Sequence, residues 1–294
     1  MANLKAIRNR ISSVKSTRQI TSAMKMVSAA RLRKAQDKIV RLRPYANKLL
    51  EIQINVSQSI EDSDVDNIYG RVSPPDKVLV VVITSNRGLC GAFNTNVIKE
   101  MRRIISEKYY DQISNGNLKI LAIGKKGFDF FRKQKVNMLP EQNDLLNDLS
   151  FDNVALIAEQ VMSSFVSGEF DRIEMVYNQF KNAAVQNLTN ELFLPVESVP
   201  AGNTKIVPID YIYEPNEVEI IKELVPKSLK IQFYKAVLNS FVAEHGARMT
   251  AMHKATDNAT SMIRDLTLLY NKARQAAITN QILEVVSGAE ALRG

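Results

Sequence analysis

The sequence predicts a mainly α-helical protein in which a small α/β domain is inserted between two long terminal helices. The first proline is Pro44 and the first glycine is Gly70, while between Pro226 and Gly288 only Gly246 interrupts the chain. Because glycine and proline break helices, segments nearly free of them favour long helices. The middle of the chain instead alternates strand-like and helix-like patterns, which indicates an α/β domain.

Apolar residues in the N-terminal segment recur with the 3-4 spacing of a coiled-coil seam. They begin with a run over residues 4–14 and resume in the same register from Leu32 onwards. Between the two runs, Ile20, Met24 and Val27 form an apolar face one position away, so we expect the seam to drift there. The intervening seam positions are Arg18, Thr21, Lys25 and Ser28.

The C-terminal segment has a second long seam of the same kind. Neither helix can bury its apolar stripe alone, and the small residues on this seam allow a partner helix to approach closely. We therefore predict that the N- and C-terminal helices of one chain form an antiparallel coiled coil. The second seam comprises Met252, Ala255, Ala259, Met262, Leu266, Leu269, Ala273 and Ala276.

The middle of the chain begins with KVLVVVIT, a β-branched run typical of a buried parallel strand. The alternation of elements predicts a small, Rossmann-like α/β domain with a mostly parallel sheet. Strands are expected at 77–84, 118–124, 172–179 and 190–197, and helices at 94–106, 128–134 and 154–166. The predicted domains are an N-terminal helix (1–60), a linker (61–76), the α/β domain (77–198), a second linker (199–215) and a C-terminal helix (216–294).

Positive charge is concentrated in the N-terminal arm. Residues 1–48 contain thirteen Lys or Arg and one acid, Asp37, a net of +12 in a chain whose total is +8. The other 246 residues must therefore sum to −4. An arm of this kind favours an anionic partner, either nucleic acid, anionic lipid or an acidic protein surface, although a solvated helix face gives the same pattern.

Several functional classes are disfavoured by the residue content. No stretch has 18 consecutive uncharged apolar residues, and the first residues lack an apolar core, so neither a spanning helix nor a signal peptide is expected. One cysteine, Cys90, and two histidines, His245 and His253, are too few for a disulfide or a structural zinc site. No catalytic motif is present, so we expect no catalytic residue, cofactor or metal.

Two loops after predicted strands are candidates for a nucleotide site. Residues 85–91 (SNRGLCG) lack both the dinucleotide glycine spacing and a P-loop lysine, and residues 124–127 (GKKG) form only a basic turn. Both signals are weak. Cys90 lies in the first loop without a histidine nearby in sequence, so a buried, structural thiol is favoured over a nucleophile.

Five blocks resemble one known family in order along the chain: IRNRISSVKSTRQITSAMKMVSAARLRKAQ, TSNRGLCGAFN, YIYEP, AEHGARMTAMHKATDNAT and NKARQAAITNQILEVVSGAEAL. The chain is similar throughout its length to the gamma subunits of bacterial F-type ATP synthases. This resemblance implies the fold predicted above. It also implies a non-catalytic rotary shaft that couples ion flow through the membrane c-ring to conformational cycling of the catalytic beta subunits.

The resemblance implies partners and a location as well. The partners are three alpha and three beta subunits, the epsilon subunit and the c-ring, with no nucleic acid. Membrane association would be indirect, on the cytoplasmic side of the bacterial plasma (inner) membrane. The coupled ion, proton or sodium, stays open. Chloroplast members have a regulatory cysteine pair in the α/β domain, which the single Cys90 excludes here.

The resemblance also assigns residues to two contact regions. Positions near the C-terminus depart from the usual family pattern, since Asn280 and Gln281 are followed by Ile282 and Leu283. The expected foot next to the c-ring and epsilon subunit comprises Tyr211, Tyr213 and Glu214. The expected beta-subunit contacts are Ile20, Thr21, Met24, Lys25, Val27, Arg33, Lys34, Arg248, Asn280, Gln281 and Glu284.

The sequence alone is also compatible with two other classes of protein. A nucleic-acid-binding coiled coil would use the basic arm along phosphates and dimerise through its terminal seams. A nucleotide-dependent enzyme would use the α/β domain.

Overall fold

The computed structural model describes residues 4–59, 68–71, 73–196 and 217–292. These form two compact units. The terminal unit comprises Met1–Ser28 and Met249–Gly294, and the central unit comprises Ala29–Arg248. Two long helices, α1 (Leu4–Ser59) and α6 (Glu217–Ala291), contribute residues to both units. No helix among the described residues has the length and apolar content needed to cross a membrane.

In the terminal unit, α1 and α6 run antiparallel, as predicted. The Thr256 hydroxyl donates to the Thr21 hydroxyl over 2.9 Å, and one turn further on Lys25 Nζ lies 3.4 Å from His253 Nδ1. Residue numbers thus rise along α1 as they fall along α6. Ile7 is buried in the seam of α1, and Met252 and Ala259 are buried in the seam of α6.

The expected drift of the α1 seam was wrong. Thr21 and Ser28 are buried, and Arg18 and Lys25 are half-buried, so the seam keeps its register through the polar stretch. The buried hydroxyls are satisfied within the helix, because Thr21 donates to the Arg18 carbonyl (3.1 Å) and Ser28 to the Met24 carbonyl (2.7 Å). Short hydroxyl side chains can bond the preceding turn in this way, which lets them occupy a seam.

Three seam positions of α6 also needed correction. Met262, Leu269 and Ala276 are exposed, and the half-buried residues are their neighbours Ile263, Tyr270 and Ala277. The predicted seam and the observed seam share every second position, including Leu266, and differ by one residue at the positions between. Both therefore have the alternating spacing of three and four residues, and periodicity alone could not distinguish them.

The antiparallel pairing predicts a specific cross-link. Replacing both Thr21 and Thr256 with cysteine should give a disulfide within one chain, because the two hydroxyl oxygens lie 2.9 Å apart across the seam. The product is identified by non-reducing electrophoresis as a monomer of altered mobility. Cysteines at Ile20 and Thr256 form the control, since Ile20 faces outward and should not react within the chain. Dimers as the sole product would instead support a coiled coil between two chains.

The central unit contains a four-stranded sheet in the order β2-β1-β3-β4. The first three strands are parallel and β4 is antiparallel to β3. The strands are β1 (Val78–Ile83), β2 (Leu118–Ile123), β3 (Arg172–Phe180) and β4 (Gln186–Leu194). The helices are α2 (Phe93–Glu107), α3 (Tyr110–Ser114), α4 (Lys125–Lys133) and α5 (Phe151–Val166), with a 3-10 turn at Asp144–Leu146. This agrees with the predicted order, to which the structure adds α3, the 3-10 turn and an earlier start for β4.

The sheet core and α6 position the candidate site. All six residues of β1 are buried, and α2 and α4 contribute Met101 and Phe131 to the core on one face. Most residues of α6 between 229 and 248 are buried on every side, which explains their apolar character around the whole helix. A Cβ at Gly246 would lie 3.2 Å from the Ala183 backbone, so glycine permits close packing against the β3–β4 turn.

The predicted domain boundaries stay predictions. Residues 61–67 and 72 of the first linker and all of the second linker, 199–215, lie outside the described residues. So do the three residues of the expected foot, Tyr211, Tyr213 and Glu214.

Candidate functional site

One face of α1 in the terminal unit displays apolar side chains to solvent. Ile20 is 60% exposed, Val27 is 56% exposed and Met26 is 65% exposed. Ile20 and Val27 are one heptad apart and therefore share one side of the helix, away from the seam. Large apolar residues grouped on an exposed helix face, where the helix already has its partner, make this face a candidate surface for another protein.

The other predicted contacts in this stretch lie at or beside the seam. Thr21 is buried and bonded to Thr256, Met24 is half-buried, and Lys25 is half-buried with its ammonium next to His253. His253 in turn lies 3.4 Å from the Asp257 carboxylate. The outward-facing members of the predicted set are thus Ile20 and Val27, and a contact with another subunit stays a prediction for all five.

The end of α6 is exposed on all sides. Every residue from 278 to 292 is exposed, including Asn280, Gln281 and Glu284, which were predicted from the resemblance. Thr21 faces Thr256 and the described part of α1 begins at Leu4, so α1 is paired only up to about Ala273 of α6. Sequence analysis missed the apolar residues of this segment, although their spread around the helix was a signal. They are Ile278, Ile282, Leu283, Val285 and Val286.

Arg248, another predicted contact, makes its contacts inside the central unit, where it links two elements; we call this set of contacts the internal latch. Its side chain is buried, and one guanidinium nitrogen lies 2.6 Å from a Glu244 carboxylate oxygen. The other donates to the backbone carbonyls of Arg87 (2.9 Å) and Gly88 (3.3 Å). It therefore joins α6 to the loop after β1. The predicted contact with another subunit stays a prediction.

A polar cavity of about 370 Å³ lies beside this latch in the central unit. Of the two predicted contacts Arg33 and Lys34, both exposed, only Lys34 lines the cavity. Five cations face two carboxylates there, and one of those carboxylates, Glu244, is already bonded to Arg248. The charged residues of the lining are Arg31, Lys34, Lys38, Arg87, Arg248, Asp148 and Glu244.

His245, which also lines the cavity, is a buried residue whose ring has no hydrogen-bond partner among the described residues. The residue is 2% exposed. Burial, with smaller contributions from Arg248 and Arg31, lowers the pKa of His245 to about 4. The ring is thus neutral near pH 7, with one donor and one acceptor unsatisfied. Such a buried group costs about 1–3 kcal/mol when nothing bonds to it.

The two loops weighed as nucleotide sites are occupied by contacts within the chain. At the start of α4, the backbone N–H groups of Lys125, Lys126 and Gly127 donate to the Asn86 side chain, the Ser85 carbonyl and the Thr84 hydroxyl. In the loop after β1, carbonyl oxygens face Arg248. A phosphate cradle needs free N–H groups, so the start of α4 lacks the geometry of a nucleotide site.

Cys90 is buried, as expected. Its sulfur accepts from the Asn94 side-chain amide over 3.3 Å, and burial raises the pKa of the thiol. A raised thiol pKa is the opposite of what a nucleophile requires. Among the described residues, no group of three or more His, Cys, Asp or Glu could hold a metal ion.

Comparison with known proteins identifies the family. A family model described as ATP synthase matches residues 3–292. The ATP synthase gamma chain of Flavobacterium psychrophilum is 55% identical over the full length of both chains. The chain belongs to the ATP synthase gamma chain family. Another relative, the gamma chain of Cytophaga hutchinsonii, is 49% identical over 99% of both chains.

Two solved structures of similar fold are chains of mitochondrial ATP synthases. A chain of the Euglena gracilis mitochondrial ATP synthase, in an assembly described as OSCP/F1/c-ring, has a TM-score of 0.66 at 23% identity and matches 98% of this chain and 94% of its own. A chain of the Tetrahymena thermophila mitochondrial ATP synthase central stalk and c-ring has a TM-score of 0.55 at 26% identity. That match covers 80% of this chain and 99% of the other.

Proposed function

We propose that this chain is the central rotary shaft of an F-type ATP synthase. It couples ion flow through the membrane c-ring to conformational cycling of the catalytic beta subunits and forms no catalytic site itself. The observation that supports this most strongly is the full-length identity of 55% to a bacterial ATP synthase gamma chain. The antiparallel hairpin with its inserted α/β domain agrees with the stalk chains of similar fold.

Rotation of a single chain explains how one subunit can drive three sites. A ring with threefold symmetry keeps its sites equivalent unless something asymmetric touches each of them differently. One copy of this chain, lying on the axis of such a ring, presents a different side to each beta subunit. A ligand shifts a conformational equilibrium only by its differential affinity for the two states. Turning the shaft therefore changes which beta subunit is biased towards which state.

The exposed apolar face around Ile20 and Val27 is the surface we propose for the beta subunits. Both side chains are more than half exposed in this chain and would be buried only by a partner. Complete burial of an exposed side chain of this size contributes about 1.5–3 kcal/mol, and each of these residues has somewhat more than half of that still to gain. The thirteen cations among residues 1–48 supply attraction towards an acidic lever loop of the beta subunit.

The end of α6 supports a second contact, with the upper collar of an alpha–beta ring. A helix whose apolar residues are exposed on several sides is stable in water only if a surrounding surface covers them. Asn280, Gln281 and Glu284 lie on this segment and would contact the rim of that surface. The unusual Ile282 and Leu283 add apolar area there.

The remaining partners and the location follow from the same proposal. The epsilon subunit and the c-ring would contact the foot at Tyr211, Tyr213 and Glu214. The chain would then be peripheral, held by the complex on the cytoplasmic side of the bacterial plasma membrane. Purification of the native complex should yield alpha, beta and epsilon subunits with this chain. Isolation of the chain as a nucleic-acid complex without those subunits would contradict the proposal.

The beta-contact surface is tested by replacing Ile20 and Val27 with glutamate in the assembled complex. We expect ATP-driven ion transport per ATP hydrolysed to fall at least about tenfold, because apolar area is lost and two negative charges face an acidic loop. Transport and hydrolysis are measured together in reconstituted vesicles. The fold should be unaffected, since both positions are exposed.

A matched control separates the effect of the two added negative charges from the effect of losing the apolar surface. Ser12 and Gln19 are also exposed on α1 and one heptad apart, so replacing both with glutamate makes the same charge change with no apolar loss. We expect this control to couple nearly as well as the native chain. Equal transport by the Ile20 and Val27 variant and by the control would exclude the proposed contact.

A further inference from the structure

We propose that the cavity beside Arg248 binds a phosphate group, so that this chain has a small-anion site of its own. The site goes beyond the shaft function and does not depend on it. It lies wholly within the central unit, at the place where α1, α6 and the loop after β1 meet.

The first support is unpaired positive charge. Among the described residues, the side chains of Arg31, Lys34 and Arg87 make no hydrogen bond or ion pair, although all three line the cavity. Lys38 is engaged by the Leu149 carbonyl at 2.9 Å, and Arg248 by Glu244. Lys34 and Arg87 remain uncommitted, and Arg31 acts on the charge of Glu244 without a direct contact, so the lining keeps an excess of positive charge beside Asp148. Cations without partners that converge on one concavity favour an anion there.

The second support is independent of charge. His245 is one of the residues that line the cavity, is 2% exposed, and has both ring nitrogens buried and without a hydrogen-bond partner within the described structure. Nearly all buried polar groups in proteins are bonded to something, so an unsatisfied imidazole indicates a missing partner. After a turn of the side chain towards the cavity, a neutral ring can donate its N–H to a phosphate oxygen, or accept from the hydroxyl of a monoprotonated phosphate.

The ligand class follows from size and donor geometry. A volume of about 370 Å³ holds a phosphate group with room for a small attached organic part. Guanidinium groups bind two phosphate oxygens at once, and a lysine adds a point charge, which matches Arg31, Arg87 and Lys34. Inorganic phosphate and the phosphates of a nucleotide share this chemistry. An occupant would also bridge α1, α6 and the loop after β1, and binding to the folded state stabilises it.

The test uses the purified full chain in a buffer free of phosphate and sulfate. Inorganic phosphate and ADP are titrated separately by calorimetry at constant ionic strength, with sodium acetate as a carboxylate control. We expect saturable phosphate binding in the millimolar range and no saturable binding of acetate. Tighter binding of ADP than of phosphate would identify a nucleotide as the ligand. Linear heats with both phosphate and ADP, or acetate binding equal to phosphate binding, would refute the site and leave water or a partner's carboxylate as the occupant.

Variants locate the site. Lys34→Gln and Arg87→Gln should each weaken phosphate binding about tenfold, because each removes a charge-assisted contact. Both positions are exposed, so the fold should survive. Arg41→Gln removes the same charge from an exposed position of α1 outside the cavity lining and should leave binding unchanged. Nitrogen NMR of the His245 ring gives a direct readout, which should shift on phosphate addition in the native chain and in Arg41→Gln. Equal loss of affinity in all three variants, or an unmoved ring signal, would show only diffuse attraction of anions.

Discussion

Replacing Arg248 with methionine should destabilise the central unit by about 3–5 kcal/mol. The guanidinium neutralises Glu244 over 2.6 Å and satisfies the carbonyls of Arg87 and Gly88. Both side chains of the ion pair are only 9% exposed, so methionine would leave a carboxylate buried without its partner. Burial already raises the pKa of Glu244 against the opposing effect of Arg248, and removal of Arg248 would raise it further.

Urea unfolding of the full chain measures this change, and two variants show its cause. The double variant Arg248→Met with Glu244→Met should recover most of the lost stability, because apolar residues of similar volume can replace a buried ion pair. Arg248→Lys should be intermediate, since one ammonium cannot bond the carboxylate and both carbonyls in the same planar geometry. If Arg248→Met unfolds at the urea concentration of the native chain, the internal latch is not a stabilising contact.

The same variants separate the two roles considered for Arg248. The resemblance implies a contact with a beta subunit, whereas the structure shows a latch inside the chain. If the latch is its whole role, the double methionine variant should restore coupling in the assembled complex along with stability. Restored stability with lost coupling would instead support an additional contact with another subunit.

Much of the fold could be predicted because its signals are local. The run at 77–84 is β-branched and apolar, and β1 is buried at every residue. The antiparallel coiled coil followed from two segments with matching seams and almost no glycine or proline. The sheet order and the antiparallel β4 depend on packing between distant segments, which periodicity does not encode.

The errors arose where side-chain chemistry overrode hydrophobicity. The apolar residues beside Thr21 and Ser28 predict a drift of the seam, yet the hydroxyls of these two residues bond carbonyls one turn earlier and remain in it. In α6 the pairs Met262 and Ile263, and Leu269 and Tyr270, are apolar at both positions, so the pattern could not choose between them. The register of a coiled coil is fixed by which residues meet across it, and that information lies in the partner helix.

Of the candidate sites, one could be predicted from the sequence and the other could not. Ile20 and Val27 were identified from the resemblance, and their exposure could have been predicted from their position beside an intact seam. The cavity could not, because its lining comes from α1, α6, the loop after β1 and the turn before α5. His245 is one of only two histidines in the sequence, but the lack of partners for its ring is a property of the folded chain.

A pH dependence specific to His245 is the second large effect that we expect. Its pKa is about 4 in the folded chain and 6.5 when unperturbed. Between these values the unfolded chain binds a proton that the folded chain does not, so stability is fully present above pH 6.5 and falls towards pH 4. The shift corresponds to about 3 kcal/mol over this window. Urea unfolding at several pH values, in a buffer free of phosphate, measures the loss.

The variant His245→Gln isolates this contribution. Glutamine does not titrate, so the native chain should lose up to about 3 kcal/mol more than the variant between pH 6.5 and pH 4. Glu244 acts in the opposite direction, because its raised pKa lets the folded chain take up a proton first, but this effect is common to both proteins and largely cancels in the difference. Arg31 and Arg248, which also disfavour a charged ring, are present in both. If the difference in unfolding free energy between the native chain and the variant stays constant with pH, the ring gains a proton in the folded chain at no cost in stability. Water or a bound anion would then already solvate the imidazole, and its unpartnered burial would not describe the chain in solution.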